Sequence, residues 1–278
     1  MTQALDVAGI QVSPDHYIAG KRIISPETFE LFSPIDQRSL GRISEGLDEH
    51  VDAALAAADD AFPAWSCLSA TERKVYLDRF AAEIGKRADE FCQLESNDAG
   101  VLLSRMRHGV VPRSMLNITY FAEHALKLQD RPIDTDQAHH IVRHDPAGIA
   151  AIITPWNAPL MLGTWKLGPA LAAGNTVIIK PPEWAPLTMS LLADCADAAG
   201  LPSGVLNIVH GHGTITGARL VSDPRLARIS FTGSVPTARK IAQVAGANLV
   251  PVSLELGGKS PCIVLEDADI DSAAATGA

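Results

Sequence analysis

The strongest constraint on the fold is a regular alternation of short apolar runs and helical segments in the second half of the chain. The apolar runs are rich in valine and isoleucine and do not alternate with polar residues, which is typical of parallel strands buried on both faces. Strands are predicted at 148–153, 176–179, 205–209 and 228–231, and helices at 160–173, 186–199, 214–221 and 236–246. This order predicts an α/β fold with a doubly wound, Rossmann-like parallel sheet.

The first half of the chain is organised differently. Short β-type pieces within 17–43 are interrupted by glycine and proline, and helical patterns follow them. Asp48 is expected to cap the first helix, and Ser69 with Glu72 forms a capping box in front of the second. A third helical stretch covers about 110–127. We therefore expect extra amino-terminal helices beside the sheet.

Composition and charge exclude several classes of partner. The net charge is −9, and 47% of the residues are hydrophobic, as in a globular protein. No basic stretch is present, so neither nucleic acid nor an anionic membrane surface is an expected partner. Residues 146–165 are uncharged and long enough to span a bilayer, but Pro155 and Pro159 would leave backbone groups unpaired in lipid. A buried strand followed by a helix explains this stretch better.

The four cysteines and the amino terminus indicate a cytoplasmic protein. No two cysteines form a C-x-x-C pair, and four in 278 residues do not make a disulfide framework. The first thirty residues lack the basic start and apolar core of a signal peptide. We therefore expect reduced thiols and a cytoplasmic location.

Small and polar residues follow each predicted strand. In a doubly wound sheet, ligands bind at the carboxyl ends of the strands. These segments are 154–157, 180–183, 211–214 and 232–234, together with 255–260 after a last strand-like run at 251–256. Five returns of the chain to one edge predict a cleft for a phosphorylated ligand.

Two groups at this edge suit a nucleotide. Thr232, Gly233 and Ser234 precede a helix, so their backbone N–H groups can hold a pyrophosphate; the alternative is a plain helix cap. Lys180 and Glu183 could bind ribose hydroxyls, or they could form an exposed ion pair of little energetic weight.

Two further residues suit acyl chemistry. Asn157 offers an amide donor that could stabilise an oxyanion, although it could equally be a turn residue between two prolines. Glu255 stands in a run that we interpret as an apolar, buried strand, which would make it a candidate general base. The alternative is a buried, hydrogen-bonded structural carboxylate.

Several motifs fail on inspection. Gly258 to Ser260 is not the end of a P-loop, because Ser253 stands where that motif needs glycine. His139 and His140 are neighbours on a predicted strand and therefore point to opposite sides, so we expect no metal site there.

The motifs TPWNAP (154–159), KPPE (180–183), FTGS (231–234) and LELGGKSP (254–261), taken in this order, closely resemble the aldehyde dehydrogenase superfamily. The resemblance runs from about Tyr17 to the last residue. It implies that Asn157 donates to the oxyanion, that Glu255 activates the deacylating water, and that NAD is the cofactor, with NADP as an alternative. The implied cofactor contacts are Ile153, Thr154, Pro155, Trp156, Lys180, Pro182, Glu183, Gly213, Phe231, Thr232, Gly233, Ser234, Leu256 and Gly257.

The resemblance also implies an aldehyde substrate. Within the family, the similarity is greatest to semialdehyde dehydrogenases of aromatic-acid degradation, such as the 5-carboxymethyl-2-hydroxymuconate semialdehyde dehydrogenases. The implied substrate residues are Arg113, Ala158, Met161, Leu162 and Trp165. Arg113 could pair with a substrate carboxylate or could be a solvated helix residue.

The family's chemistry uses a cysteine thiolate that none of the four cysteines matches by motif. We therefore expect 1–127 and 147–258 to form an NAD-binding domain, 128–146 to form bridging or oligomerisation strands, and 259–278 to begin a truncated catalytic domain. The chain alone is expected to be inactive, and the full-length protein is expected to be a homodimer or homotetramer. Two alternatives stay open: a non-catalytic nucleotide-binding or assembly module, and an acylating aldehyde dehydrogenase.

Overall fold

A computed structural model describes residues 4–128 and 130–277. The strands are β1 (Leu5–Val7), β2 (Ile10–Val12), β3 (His16–Ile18), β4 (Lys21–Ile23), β5 (Thr28–Phe32), β6 (Ser39–Ser44), β7 (Arg131–Asp134), β8 (His139–Val142), β9 (Ile149–Ile153), β10 (Thr176–Lys180), β11 (Leu206–Ile208), β12 (Leu226–Gly233) and β13 (Val252–Leu256). The α-helices are α1 (Asp48–Cys67), α2 (Ala70–Lys86), α3 (Ala88–Asp98), α4 (Leu103–Arg105), α5 (Val111–Ala125), α6 (Pro159–Ala172), α7 (Leu187–Ala198), α8 (Ala218–Val221), α9 (Val235–Ala247) and α10 (Ile270–Gly277), with π-helical turns at Met106–Val110 and Gly213–Gly217.

The central element is a seven-stranded sheet with the order β13-β12-β9-β10-β11-β3-β4. The strands from β9 to β13 are mutually parallel, and β3 and β4 add an antiparallel edge. The chain proceeds from β9 through α6, β10 and α7 to β11, and then returns to the other side of β9 as β12. This return creates a switch point between β9 and β12, where such sheets bind ligands. The predicted doubly wound α/β sheet is confirmed.

The two faces of the sheet are covered by different helices because side chains alternate along each strand. Ile152 and Ile179 are packed in a core that includes α2, α6 and α7, whereas Ile153 and Ile178 are packed in a second core with α1 and α9. Every residue of β9 and β10 is buried. This double burial explains the unbroken apolar runs in the sequence.

Helix α3 carries two buried carboxyl groups that face the starts of other helices. One oxygen of Glu95 accepts from the N–H of Leu160 at 3.1 Å and from the hydroxyl of Thr188 at 3.0 Å. Asp98 accepts from the N–H of Leu187 at 2.9 Å. These carboxyls therefore satisfy N–H groups at the start of α6 and α7 that no intrahelical carbonyl can reach.

The helix starts agree with the sequence in part. The capping box of Ser69 and Glu72 is present as predicted. Asp48 is not the cap of α1: Leu47 occupies that position, and its backbone N–H donates to the His50 ring at 3.1 Å. Asp48 lies instead in the first helical turn, where a negative charge is favourable.

The hairpin of β7 and β8 is exposed along both strands. Its assignment as a bridging or oligomerisation segment stays a prediction, as do the domain boundaries. In residues 4–128 and 130–277, no helix combines the length and the apolarity needed to span a membrane.

Candidate functional site

The loops at the carboxyl ends of β9, β10, β12 and β13 enclose a cleft of about 1610 Å³. Most of the residues proposed from the sequence line this one cleft. They are Ile153, Thr154, Pro155, Trp156, Asn157, Leu162, Trp165, Lys180, Pro182, Glu183, Gly213, Phe231, Thr232, Gly233, Ser234, Glu255, Leu256 and Gly257. Arg113, Ala158 and Met161 are absent from this lining. The sheet therefore brings together segments that are about 100 residues apart in the chain.

The turn from β12 into α9 has the geometry of a helix start. Ser234 is the cap of α9 and its hydroxyl accepts from the N–H of Thr237 at 3.4 Å. Gly233 is needed here, because a Cβ at this position would lie 2.5 Å from the Phe231 ring. The helix N-terminus opens into the cleft with a partial positive charge. The helix-cap interpretation is therefore correct; pyrophosphate binding stays a prediction.

Lys180 and Glu183 form an ion pair with an N–O distance of 3.1 Å. The pair is not exposed: the side chain of Lys180 is 3% accessible and that of Glu183 is 27% accessible. Burial lowers the pKa of Lys180, and the charge of Glu183 opposes this change. Burial alone would raise the pKa of Glu183, but Lys180 and His212 lower it below the usual range. The exposed-pair alternative is wrong, and a buried ammonium paired with a carboxylate faces the cleft.

Asn157 lies in the exposed loop between β9 and α6, two residues before the helix begins. The loop starts from Thr154, whose backbone N–H donates to the carbonyl of Lys180 at 3.3 Å. The amide of Asn157 is therefore available to a ligand in the cleft. Its role at an oxyanion stays a prediction.

Glu255 is exposed, so the expected burial of this carboxyl group is wrong, whereas its role as a general base stays a prediction. Strand β13 is the edge of the sheet. Glu255 is the register partner of Thr232 on the neighbouring strand β12. The signal was present in the sequence, because Val252 and Leu254 alternate with Ser253 and Glu255, a pattern of half-exposed strands. Glu255 also acts on Lys166 of α6: burial lowers the pKa of Lys166, and the carboxylate opposes it.

Arg113 reaches the edge of the cleft through Trp165. Its guanidinium lies 5.1 Å from the centre of the Trp165 ring, which lines the cleft, and its Nε donates to Asn117 at 3.1 Å. Ala158 is buried, whereas Met161 is partly buried. A role for these side chains in substrate binding stays a prediction.

His212 also lines the cleft, beside Glu183, but the sequence predicted only the segment 211–214 that contains it. Glu45 holds the ring of His212 from a position 167 residues earlier in the chain. A contact over that separation has no local signal. Trp184 also lines the cleft and follows the KPPE motif directly.

All four cysteines are free thiols, and none of them lines the cleft as far as the described residues show. Burial raises the pKa of Cys195 to about 12, and it also raises the pKa of Cys92. Cys67 and Cys262 are exposed. Within residues 4–128 and 130–277, no cluster of three or more histidine, cysteine, aspartate or glutamate residues is suited to a metal ion.

Comparison with known proteins identifies the family. Residues 23–278 match the aldehyde dehydrogenase family. The chain is 41% identical over 261 residues to 2-aminomuconic semialdehyde dehydrogenase of Mus musculus, which covers 92% of this chain and 53% of the relative. It is 36% identical to the 5-carboxymethyl-2-hydroxymuconate semialdehyde dehydrogenase of Escherichia coli, over 93% of this chain and 55% of the relative.

Solved structures agree with this result. The crystal structure of PnpE from Pseudomonas sp. WBC-3 has a TM-score of 0.90 and 40% identity, covering 93% of this chain and 54% of that one. PnpE has also been solved in complex with nicotinamide adenine dinucleotide, with the same TM-score. The chain thus spans about half the length of the relatives that it matches. On the family match and these similarities, the chain belongs to the aldehyde dehydrogenase family.

Proposed function

We propose that this chain provides the cofactor-binding part of an enzyme that oxidises an aldehyde to a carboxylic acid with NAD as the hydride acceptor. One observation carries this proposal. Asn157, Glu183, Ser234 and Glu255 line a single cleft at the switch point of a doubly wound sheet. The family, and the NAD bound to PnpE, support the use of NAD or NADP.

The cofactor-binding groups have separate roles in this proposal. The N-terminus of α9 and the loop 232–234 hold the pyrophosphate through backbone N–H groups. Lys180 and Glu183 bind the ribose hydroxyls, the first as a donor and the second as an acceptor. The carboxylate of Glu183 repels a ribose 2′-phosphate, so NAD is preferred over NADP.

The proposed reacting groups, Asn157 and Glu255, line the same cleft. Bound NAD supplies the hydride acceptor. The side-chain amide of Asn157 donates a hydrogen bond to the carbonyl oxygen as negative charge develops on it. Glu255 takes the proton of the water that hydrolyses the acyl intermediate.

The covalent step needs a thiolate, and no cysteine of the described chain lies in the cleft. Cys195 and Cys92 are further disfavoured, because burial raises the pKa of each thiol. We therefore propose that these 278 residues alone bind NAD without oxidising aldehydes.

The proposed substrate is a semialdehyde that carries a carboxylate. Relatives that are about 40% identical over the matched residues are named for muconic semialdehydes. Arg113 is exposed beside Trp165 and could pair with the carboxylate through two hydrogen bonds. Ala158, Met161 and Leu162 would surround the rest of the substrate.

The oligomer and the domains are part of the same proposal. We assign 1–127 and 147–258 to the NAD-binding domain, 128–146 to bridging strands and 259–278 to the start of the catalytic domain. The hairpin of β7 and β8 exposes Ile133 and Ile141, which supports a contact with another copy in a homodimer or homotetramer.

Intrinsic fluorescence tests the cofactor role. Trp156, Trp165 and Trp184 line the cleft, whereas Trp65 is buried in the core. Titration with NAD should quench the fluorescence with saturation, and addition of an aldehyde should then produce no NADH. Absence of saturable binding would contradict the nucleotide cleft, and turnover free of contaminating enzyme would contradict the proposed lack of activity.

One observation favours a second candidate, a non-catalytic nucleotide-binding or assembly module: the cleft of the described chain contains no thiol. The two proposals differ in turnover. If a longer protein that contains this chain and a cysteine in the cleft binds NAD but oxidises no aldehyde, the module is favoured. An acylating dehydrogenase is less consistent with Glu255, since a water-activating base suits hydrolysis.

A further inference from the structure

The loop after β11 places His212 in the cleft beside Glu183, the residue proposed to bind the ribose. Glu45 fixes this residue twice: its carboxylate accepts from the backbone N–H of His212 at 2.8 Å and contacts the ring Nδ1 at 2.5 Å. The side chain of Glu45 is only 6% accessible, whereas that of His212 is 42% accessible. The ring of Phe29 packs edge-on at 4.8 Å between centroids. The imidazole is therefore held in place and still open to the cleft.

The contact with Glu45 determines which nitrogen can meet a ligand. A carboxylate accepts hydrogen bonds only, so Nδ1 carries a proton in this contact. No residue in the described ranges 4–128 and 130–277 forms a hydrogen bond with Nε2. In the neutral ring Nε2 accepts a hydrogen bond, and in the imidazolium form it donates one.

His212 also acts electrostatically on the residue expected to select the cofactor. Lys180 lowers the pKa of Glu183, with a smaller contribution from His212, although burial by itself would raise it. Glu45 in turn acts on Lys180. This part of the cleft thus contains the carboxylates of Glu45 and Glu183. They are accompanied by the nitrogen bases of Lys180 and His212, so a ligand meets more than a single repelling charge.

We propose that His212 helps to set the choice between NAD and NADP; this inference rests on the proposed function. Glu183 accepts from the ribose 2′-hydroxyl of NAD and repels the 2′-phosphate of NADP. In its imidazolium form His212, fixed by Glu45, offsets part of that repulsion and donates from Nε2 to a phosphate oxygen. NADP therefore binds in the same cleft as NAD, more weakly but measurably.

The test compares the two dissociation constants in the 278-residue chain. NAD and NADP are titrated against tryptophan fluorescence for the wild type, His212→Arg and His212→Gln. The arginine variant places a permanent cation at the site and should shift the ratio of dissociation constants toward NADP by about fivefold. The glutamine variant cannot become a cation and should shift the ratio toward NAD, most strongly at low pH, where the imidazolium form of histidine is populated. His108→Gln, an exposed residue outside the cleft lining, should leave the ratio unchanged.

The outcomes separate this inference from the proposed function. If the wild type binds neither nucleotide, both are contradicted. If NAD binds and the ratio is equal in all three proteins, only the role of His212 is contradicted. Should circular dichroism show that the His212 variants are misfolded, His212→Asn decides, because its side-chain amide can still donate to Glu45. The ratio must again move toward NAD, and an unchanged ratio would overturn the proposed role of His212.

Discussion

The buried carboxyl group of Glu95 leads to a quantitative prediction about stability and pH. Glu95 is fully buried, and one of its oxygens, Oε1, has no hydrogen-bond partner in the described structure. Burial raises its pKa from 4.5 to about 7, and its hydrogen bonds to Leu160 and Thr188 only partly oppose this. The folded state thus holds the proton more tightly than the unfolded state. The associated stability is complete below about pH 4.5 and is lost as the pH rises through 7.

The magnitude follows from the two pKa values. One pKa unit corresponds to about 1.4 kcal/mol, so the rise from 4.5 to about 7 corresponds to roughly 3 kcal/mol at high pH. Glu95→Gln keeps an acceptor for both hydrogen bonds and does not titrate. The free energy of unfolding of this variant, relative to the wild type, should therefore increase by about 2.5 kcal/mol between about pH 5 and about pH 8.

Urea unfolding followed by circular dichroism measures this difference directly. The comparison is needed because other buried groups titrate too: burial lowers the pKa of His16 to about 3, and Asp98 shifts in the same direction as Glu95. Both remain in the variant, and the charge of Glu95 contributes less to the raised pKa of Asp98 than burial does. Glu123→Gln on the exposed side of α5 is the control and should show no pH-dependent difference. A wild-type-to-variant difference that stays constant within about 0.5 kcal/mol would refute the argument.

Two further predictions use matched pairs of substitutions. Gly204→Ala should lower the free energy of unfolding by more than Gly200→Ala. Both glycines have a positive φ, so alanine is strained at each position. Only at Gly204 would the new Cβ lie 2.3 Å from the carbonyl oxygen of Ala57. Equal losses in urea unfolding would contradict this. Ser234→Ala and Ser69→Ala each remove a helix cap and should each cost about 1 kcal/mol, but only Ser234→Ala should weaken NAD binding in a fluorescence titration. Equal affinity in both variants would argue against a role of Ser234 at the cofactor.

The sheet could be predicted because its signals are local. Strand β9 was expected at 148–153 and spans Ile149–Ile153, and β10 was expected at 176–179 and spans Thr176–Lys180. In β9 a run of isoleucine and alanine precedes Thr154 and Pro155, and in β10 a run of branched residues precedes Lys180 and Pro181. The cleft was predictable for the same reason, since each strand of a parallel sheet delivers its carboxyl end to one edge.

Contacts between distant segments could not be predicted in this way. Glu95 and Asp98 belong to a polar stretch of α3 that resembles a solvated helix face, but both are buried because two other helices begin against them. Glu45 meets His212 across 167 residues. In each case a buried carboxylate is retained by partners whose positions depend on the complete fold.

The return of the chain across the sheet explains why the two halves of the cleft should depend on one another. Helix α6 packs on one face of the sheet and α9 on the other, so the loop containing Asn157 and the loop containing Ser234 approach the switch point from opposite sides. Between them lie β9 and β12, which pair directly from Leu226 to Phe231. We expect a nucleotide at this point to contact both loops, because residues of each loop line the same cleft. Substitutions in either loop are therefore expected to weaken binding of the same ligand.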